Sequence, residues 1–331
     1  MRKFFVMSLA GFALSTLPSA AVVCGQSRGI VPGTGVEIAK VGDDFEDPAW
    51  NYIPNNPKST EDIDKNQHQP VGRSSNGRWY EGVKRGHPDI VRRVETPPGG
   101  LPGSEGALLM QSLYTGIPNR PSGVMHQEDF ICNVQNRMGG PMSVAQSPSV
   151  TTRVFLPPID EWEKRSGPQF AFRAALETTP PKKPLFDFGP DKEGDDGIYW
   201  PGFFLVLESK HQTKQEEDYA YWRIRAARNG GDFKGLQVTT TGWWTLGMSF
   251  TPDGMVHYYA KPGVEDLTAE DYITSQFPYS YKALRFRSFF YNVVNGDDGK
   301  HWTTPWIVDD PKVFVAQGGN MASAPPSAKR R

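Results

Sequence analysis

The sequence of 331 residues has little cysteine, little histidine and no strong net charge: it contains two cysteines and six histidines, and its formal net charge is -1. Two cysteines exclude a disulfide framework of the kind that stabilises small secreted domains. Because the charges balance, no global basic field exists to hold nucleic acid, and no acidic excess indicates a disordered chain. No P-loop, dinucleotide-binding fingerprint or Gly-x-Ser-x-Gly elbow occurs either.

The first residues have the pattern of an export signal. Arg2 and Lys3 precede the apolar run Phe4–Leu17, and small residues follow it. The run is too short to span a bilayer, and no second apolar run occurs. We therefore expect secretion to the periplasm or outside the cell, no membrane insertion and a monomer. The expected segments are a signal peptide at residues 1–25, a flexible leader at 26–40, one domain at 41–316 and a disordered tail at 317–331.

Composition and alternation predict an all-β protein. The 34 glycines, 29 prolines and an aromatic share of 12% favour turns and packed strands over long helices. The clearest pattern is a hairpin, in which Leu246, Met248 and Phe250 alternate with small or polar residues before the turn 251–254. Alternation then resumes with Val256. Many such strands with almost no helical periodicity predict a sandwich or a barrel.

Several segments resemble concanavalin-like glucanases in content and in order. They are TTRVFLPP, YWPGFFLV, WWTLGMSFTPDGMVHYY, FFYNVVN and IVDDPKVF. The frame is similar to family 16 glycoside hydrolases, and this resemblance implies an antiparallel jelly-roll β-sandwich with a groove for a sugar chain. The alternating catalytic acids of that family are absent, because Glu208 is followed by Ser209, Lys210 and His211. The resemblance therefore concerns the fold and not the reaction.

A second resemblance concerns one face of the hairpin. His257, Tyr259 and Lys261 share one side of their strand because side chains alternate. The stretch 259–264 is similar to the Tyr-Phe-Lys-Ala-Gly-Val-Tyr motif of jelly-roll alginate lyases, although that family's catalytic tyrosine falls on Glu265. β-Elimination from a uronic acid needs a neutralised carboxylate, a base and an acid. We predict His257 and Tyr259 as catalytic residues and Lys261 as a groove residue.

Arginines on the polar sides of other strands are candidates for binding an acidic sugar. Arg173 alternates with phenylalanines, and Arg223 and Arg225 share a side with Tyr221. Guanidinium groups bind carboxylates through two parallel hydrogen bonds, which lysine cannot match. We predict that these arginines, Tyr221 and Trp200 line the same groove as the His257 face, with a polysaccharide as the partner.

Other interpretations stay open. Polar residues such as His257 are common on the solvated faces of antiparallel sheets, so the protein can equally be a non-catalytic carbohydrate-binding or cell-surface module. A glycoside hydrolase would need two carboxylates from separate strands. No cofactor is required, but a structural calcium ion is an expectation, since oxygen ligands occur near both ends of the domain. These residues are Asp43, Asp44, Asp309 and Asp310; solvated loop acids are the alternative.

Overall fold

Antiparallel β-strands make up nearly all the regular structure of the protein. The computed structural model describes residues 30–62, 64–65, 71–179, 197–226 and 232–316. Within them the strands are β1 Val36–Glu37, β2 Tyr52–Ile53, β3 Arg73–Ser74, β4 Trp79–Glu81, β5 Ile90–Glu95, β6 Gly106–Gln111, β7 His126–Cys132, β8 Met142–Ser143, β9 Ser149–Leu156, β10 Gly167–Thr178, β11 Ile198–Tyr199, β12 Gly202–Glu208, β13 Tyr219–Arg225, β14 Asp232–Val238, β15 Gly242–Phe250, β16 Val256–Pro262, β17 Tyr272–Gln276, β18 Ala283–Asn295 and β19 Trp306–Val315. The helix α1 covers Val134–Met138, and single 3₁₀ turns cover Val144–Gln146, Ile159–Glu161, Ala269–Asp271 and Pro278–Ser280. The predicted all-β class is confirmed.

The strands form two antiparallel sheets. Sheet A has the strand order β17-β16-β15-β9-β19-β6-β5, and β1 pairs with β19. Sheet B has the order β14-β13-β12-β10-β18-β7-β4-β3-β2, with β11 on β10 and β8 on β18. The last two described strands therefore lie inside the two sheets, β18 in sheet B and β19 in sheet A. This two-sheet arrangement is the jelly-roll β-sandwich that the sequence predicts.

Apolar side chains from both sheets fill the space between them. Phe172 and Trp222 of sheet B and Met248 and Tyr258 of sheet A belong to one buried cluster. The ring of Phe203 on β12 meets the ring of Tyr258 edge to face, with centroids 5.5 Å apart. Burial of each such side chain contributes roughly 1.5–3 kcal/mol. Because side chains alternate along a strand, the residues between them point away from this core.

The predicted hairpin is confirmed as β15 and β16. Phe250 faces Val256 across the pair, and Gly254 N donates to Thr251 O at 2.8 Å. Gly254 has φ +85°, a conformation that glycine adopts without a steric penalty. The hairpin joins sheet A through β15, which pairs with β9.

The N-terminal part of the described chain differs from the expectation of a flexible leader at residues 26–40. Val36 and Glu37 form β1 on β19, and Ile38 N donates to Val313 O at 2.8 Å. Ser249 Oγ of sheet A donates to the carbonyl of Ile30 at 2.6 Å. Residues 30–40 thus belong to the sandwich, because they complete its backbone hydrogen bonds. The predicted signal peptide and tail lie outside the described residues. Among the residues that the structure describes, no helix is long and apolar enough to cross a membrane.

Candidate functional site

The residues predicted to form one groove lie on opposite sides of the sandwich. His257, Tyr259 and Lys261 stand on β16 in sheet A, on the side away from the core. Arg173 on β10 and Arg223 on β13 stand on the outer side of sheet B. The core lies between the two faces. The prediction of a joint groove is therefore wrong, because alternation indicates which way a side chain points but not which sheet its strand joins.

The His257 face is closed rather than cleft-like. His257 is 1% exposed, with its Nε2 2.7 Å from Thr251 Oγ1 and its Nδ1 2.5 Å from Ser275 Oγ. Burial lowers the pKa of His257, which favours the neutral imidazole. Tyr259 is also buried and packs edge to face on Tyr272, with centroids 5.5 Å apart. Neither predicted catalytic side chain is accessible to a polysaccharide.

Lys261, near the end of β16, is also engaged by neighbouring residues. Its Nζ donates to the carbonyl of Asp266 and lies 3.5 Å from Asp271 Oδ2. These contacts fix the loop that follows the hairpin. Lys261 is therefore a structural cation of sheet A and lies away from the arginines of sheet B.

The outer face of sheet B carries two straight rows of side chains that cross the strands. Residues paired directly across neighbouring strands form each row, so their order follows from the register. The first row is Tyr80, Ile131, Phe290, Arg173, Gly202, Arg225 and Asp232. The second row is Asp129, Asn292, Ala171, Phe204, Arg223 and Lys234. With strands about 4.8 Å apart, the first row is roughly 29 Å long.

Arg173 lies at the centre of the first row as a buried cation. Its Nε and Nη2 both donate to the carbonyl of Trp200, at 3.0 and 2.9 Å. Its Nη1 donates to Gln127 Oε1 and Asn292 Oδ1, each at 3.3 Å. Burial lowers the pKa of Arg173 to about 10. Within the described ranges no carboxylate lies within 4.0 Å of this guanidinium, which is unusual because buried charges are normally paired.

Arg223 and Arg225 add two more cations but share one carboxylate. Their Nε atoms lie 3.1 and 3.0 Å from the two oxygens of Asp232. The Arg223 contact lacks hydrogen-bond geometry, so Arg225 holds the better bond. The guanidinium carbons of Arg173 and Arg225 each lie 5.1 Å from the ring centre of Phe204, which provides cation–π attraction. The predicted cluster of three arginines is thus present on one face, and among the described residues one carboxylate, Asp232, pairs with two of them.

The two predicted aromatic residues also belong to sheet B. Tyr221 stands beside Arg223 on β13, and its OH donates to Glu208 Oε1 at 3.3 Å. Lys234 Nζ lies 4.8 Å from the centre of the Tyr221 ring. Trp200 supplies the carbonyl for Arg173, and its side chain helps to line a cleft. Both residues are therefore on the arginine-bearing face, as the sequence predicts.

A cleft beside Trp200 lies on this face, and the sequence did not indicate it. It has a volume of about 370 Å³. Its described walls include Tyr80, Asp129, Ile131, Trp200, Arg287 and Phe290. Ile131 and Phe290 give it an apolar floor, while Asp129 and Arg287 bring opposite charges. Such a cleft, apolar with few polar groups, is typical of a site for a small ligand or one unit of a polymer.

Asp129 is the acid among the described residues that line the cleft. Burial raises its pKa, while the nearby charges of Arg85 and Arg173 lower it. Asn292 Nδ2 donates to its Oδ1, and Arg85 Nη1 lies 3.9 Å from the same oxygen. A buried carboxyl with a raised pKa in a cleft is the kind of group that transfers protons.

The predicted calcium ligands lie near one another, but most are already engaged. Asp43 Oδ2 accepts from the indoles of Trp50 and Trp79, and the amide of Asp43 donates to Pro311 O at 3.1 Å. Asp310 Oδ2 is 2.9 Å from Arg153 Nη1, and Asp310 Oδ1 is 2.9 Å from Lys312 Nζ.

Asp309 Oδ2 accepts from Ser104, and the amide of Glu46 donates to Asp44 Oδ1. Among the described residues no group of three His, Cys, Asp or Glu side chains is arranged to hold a metal. The ends of the domain meet as expected, and indoles already engage Asp43 while cations engage Asp310. The calcium site stays a prediction that thermal unfolding with Ca²⁺ and with a chelator tests.

No protein-family model matches the sequence, and no curated protein matches it. Solved structures with a similar course of the chain include a carbohydrate esterase from the Shiga toxin-encoding bacteriophage phi24B (TM-score 0.41, 13% identity, 72% of this chain and 91% of that chain). An alginate lyase from Klebsiella pneumoniae has a TM-score of 0.41 at 7% identity, covering 83% and 98%. An endo-β-1,4-glucuronan lyase from the fungus Trichoderma reesei has 0.37 at 13%, covering 72% and 94%. These likenesses concern the fold, so the function is argued from the side chains of sheet B.

Proposed function

We propose that the protein binds an acidic, uronate-type polysaccharide across the outer face of sheet B. The observation that carries this proposal is Arg173, a buried guanidinium with no carboxylate partner among the described residues. A buried charge without a partner is costly, and an anionic ligand on the same face lowers that cost. Arg223 and Arg225 reinforce the field because one carboxylate serves both. An exported protein would meet such polysaccharides outside the cytoplasm.

The polysaccharide would run along the rows and across the strands. A length of roughly 29 Å accommodates several sugar units. The partly exposed guanidinium groups of Arg223 and Arg225 would contact carboxylates of the sugar chain, while the buried charge of Arg173 would attract these carboxylates without touching them. This arrangement favours a long acidic chain over a single sugar.

A pair of matched variants tests the proposal. Arg225→Gln removes one charge from sheet B, and Lys261→Gln removes one from sheet A. Binding to a polyuronate and to a neutral glucan is measured by calorimetry at two salt concentrations. We expect Arg225→Gln to weaken polyuronate binding by about tenfold, or about 1.4 kcal/mol, and Lys261→Gln to leave it unchanged. Equal effects of the two variants, or equal affinity of the unaltered protein for both glycans, would contradict the proposal.

Cleavage of the bound glycan by β-elimination is a second candidate function, favoured by the cleft with its acid, tyrosine and arginine. Hydrolysis needs two carboxyl groups within about 5–9.5 Å. The strand register puts Glu177, Glu208 and Asp232 roughly 20 Å or more from Asp129, so these pairs are too distant. Asp62 Oδ2 lies 3.5 Å from Arg85 Nε, and Asp129 Oδ1 lies 3.9 Å from Arg85 Nη1. Asp62 is therefore the remaining candidate for the second carboxyl group that a hydrolase would need.

The reaction products separate these alternatives. Unsaturated products that absorb ultraviolet light support the lyase, and new reducing ends without absorbance support the hydrolase. Binding without either product supports the non-catalytic module.

A further inference from the structure

The cleft brings three chemically different groups to one space. Tyr80 on β4 faces Ile131 on β7, and Asp129 lies two residues before Ile131 on the same outer side. Residues in this diagonal relation have Cα atoms roughly 7–8 Å apart. Arg287 on β18 lines the same cleft, and its Nε donates to Gln135 Oε1 at 2.8 Å. A sugar ring in the cleft would therefore contact all three residues.

The electrostatics of the three groups are coupled. Burial raises the pKa of Tyr80, Arg287 lowers it, and Asp129 raises it further. The phenol is therefore protonated at neutral pH and can donate a proton. Asp129 has one oxygen, Oδ1, engaged by Asn292, and no described side chain donates a hydrogen bond to its Oδ2. The second oxygen is thus available to accept a proton.

Arg287 has the exposure that a contact with a sugar carboxylate requires. About a third of its side chain is exposed, and its Nη1 lies 3.5 Å from Glu177 Oε1. That distance is long for a hydrogen bond, so the ion pair with Glu177 is loose and leaves the guanidinium able to bind a second carboxylate.

We infer that this cleft is the catalytic centre of a β-eliminating polysaccharide lyase acting on a 4-linked uronate, with Asp129 as base, Tyr80 as acid and Arg287 on the sugar carboxylate. The inference rests on the proposed function, since an acidic glycan must first bind.

The proposed step balances without a cofactor. Asp129 Oδ2 takes the proton from C5 of the uronate, and the electron pair of that bond forms the C4=C5 double bond. The bond between C4 and the glycosidic oxygen breaks, and Tyr80 gives its phenolic proton to that oxygen. Arg287 stabilises the negative charge that develops on the carboxylate when C5 loses its proton. Solvent then returns the proton from Asp129 to Tyr80.

Conservative variants at the three positions test the roles. The protein is incubated with polyglucuronate, alginate and polygalacturonate, and ultraviolet absorbance of the unsaturated product is followed while calorimetry reports binding. Asp129→Asn and Tyr80→Phe should each lower turnover by about 100-fold or more and leave affinity unchanged. Arg287→Gln should lower turnover and weaken binding. His257→Gln, on the other sheet, is the control that keeps full activity.

The pH profile gives an independent readout of the base. Turnover should rise with pH as Asp129 loses its proton, and the midpoint should lie above the ordinary carboxyl value because burial and Asp62 outweigh Arg85 and Arg173. Removal of the positive charge by Arg85→Gln should move the midpoint to higher pH. A midpoint that stays in place would contradict the role of Asp129.

Failure of this inference and failure of the proposed function look different. Binding of a polyuronate without an unsaturated product overturns the inference and leaves acidic-glycan binding intact. Unsaturated product from Asp129→Asn and Tyr80→Phe at the full rate also overturns it. No binding of any of the three polyuronates overturns the proposed function itself.

Discussion

Asn292 on β18 faces Asp129 on β7 across sheet B, and its amide donates to Asp129 Oδ1. This amide favours the charged carboxylate, whereas burial favours the protonated form and raises the pKa of Asp129 overall. A protein that keeps such a carboxyl in a cleft loses stability when the group ionises. The carboxyl of Asp129 is therefore both the candidate base and a group whose ionisation changes the free energy of unfolding.

Asp129→Asn should raise the free energy of unfolding at neutral pH. The folded-state pKa of Asp129 lies above its unfolded value, so the contribution of this group is greatest at low pH and is lost as pH rises through the folded pKa. Asparagine has the same shape and does not ionise. Chemical denaturation across a pH series should show the advantage of the variant growing with pH; a constant difference would contradict the argument.

His257→Phe should destabilise the fold by about 1–3 kcal/mol, because the hydroxyls of Thr251 and Ser275 lose their common partner. Binding of a polyuronate should not change. Denaturant midpoints and calorimetry measure the two effects on one preparation. Loss of glycan binding in a folded variant would indicate that the functional site lies on sheet A.

Acid should weaken the fold through two buried histidines. Burial lowers the pKa of His87 and of His126 to about 4 each. The unfolded chain binds these protons near pH 6.5, so the stability that each histidine contributes is complete above pH 6.5 and is lost as pH falls towards 4. Each accounts for about 3 kcal/mol. His126→Gln should flatten the pH dependence of the free energy of unfolding, measured by chemical denaturation at several pH values; an unchanged pH dependence would contradict the prediction.

Lys58→Met should cost about 3–5 kcal/mol of stability. Lys58 is buried and forms an ion pair with the fully buried Glu128, and its Nζ lies 3.1 Å from Asp89 Oδ1. Removal of the cation leaves carboxylates without a partner. A double variant that also carries Glu128→Gln should recover most of the loss. Exposed Lys300→Met serves as the control, and a cost as small as that control would refute the role of the pair.

Much of the fold could be predicted from the local alternation of apolar and polar residues. The hairpin of β15 and β16 follows from apolar residues at every second position around a Pro-Asp-Gly turn. The same alternation placed Arg173, Arg223 and Arg225 away from the core, and they share one outer face. These properties are local, because each depends on a few consecutive residues and the pleat of one strand.

The site was not predictable in the same way. The rows depend on pairings such as Arg173 with Phe290, which are more than one hundred residues apart in the chain. Asp129 also gave a misleading signal. Its neighbour Glu128 points into the sandwich to meet Lys58, so β7 carries acids on both faces and does not show which one faces a ligand.

The position of the last two strands affects how the chain folds. β18 separates β10 from β7, and β19 separates β9 from β6. Neither sheet can complete its hydrogen bonds until the final segment joins, and the contacts that form then span most of the chain. Chains with such distant contacts fold slowly, because loop closure must precede the gain from pairing. A polypeptide cut before β18 would carry four open sheet edges, at β10, β7, β9 and β6, and a divided core, so a stable structure requires both strands.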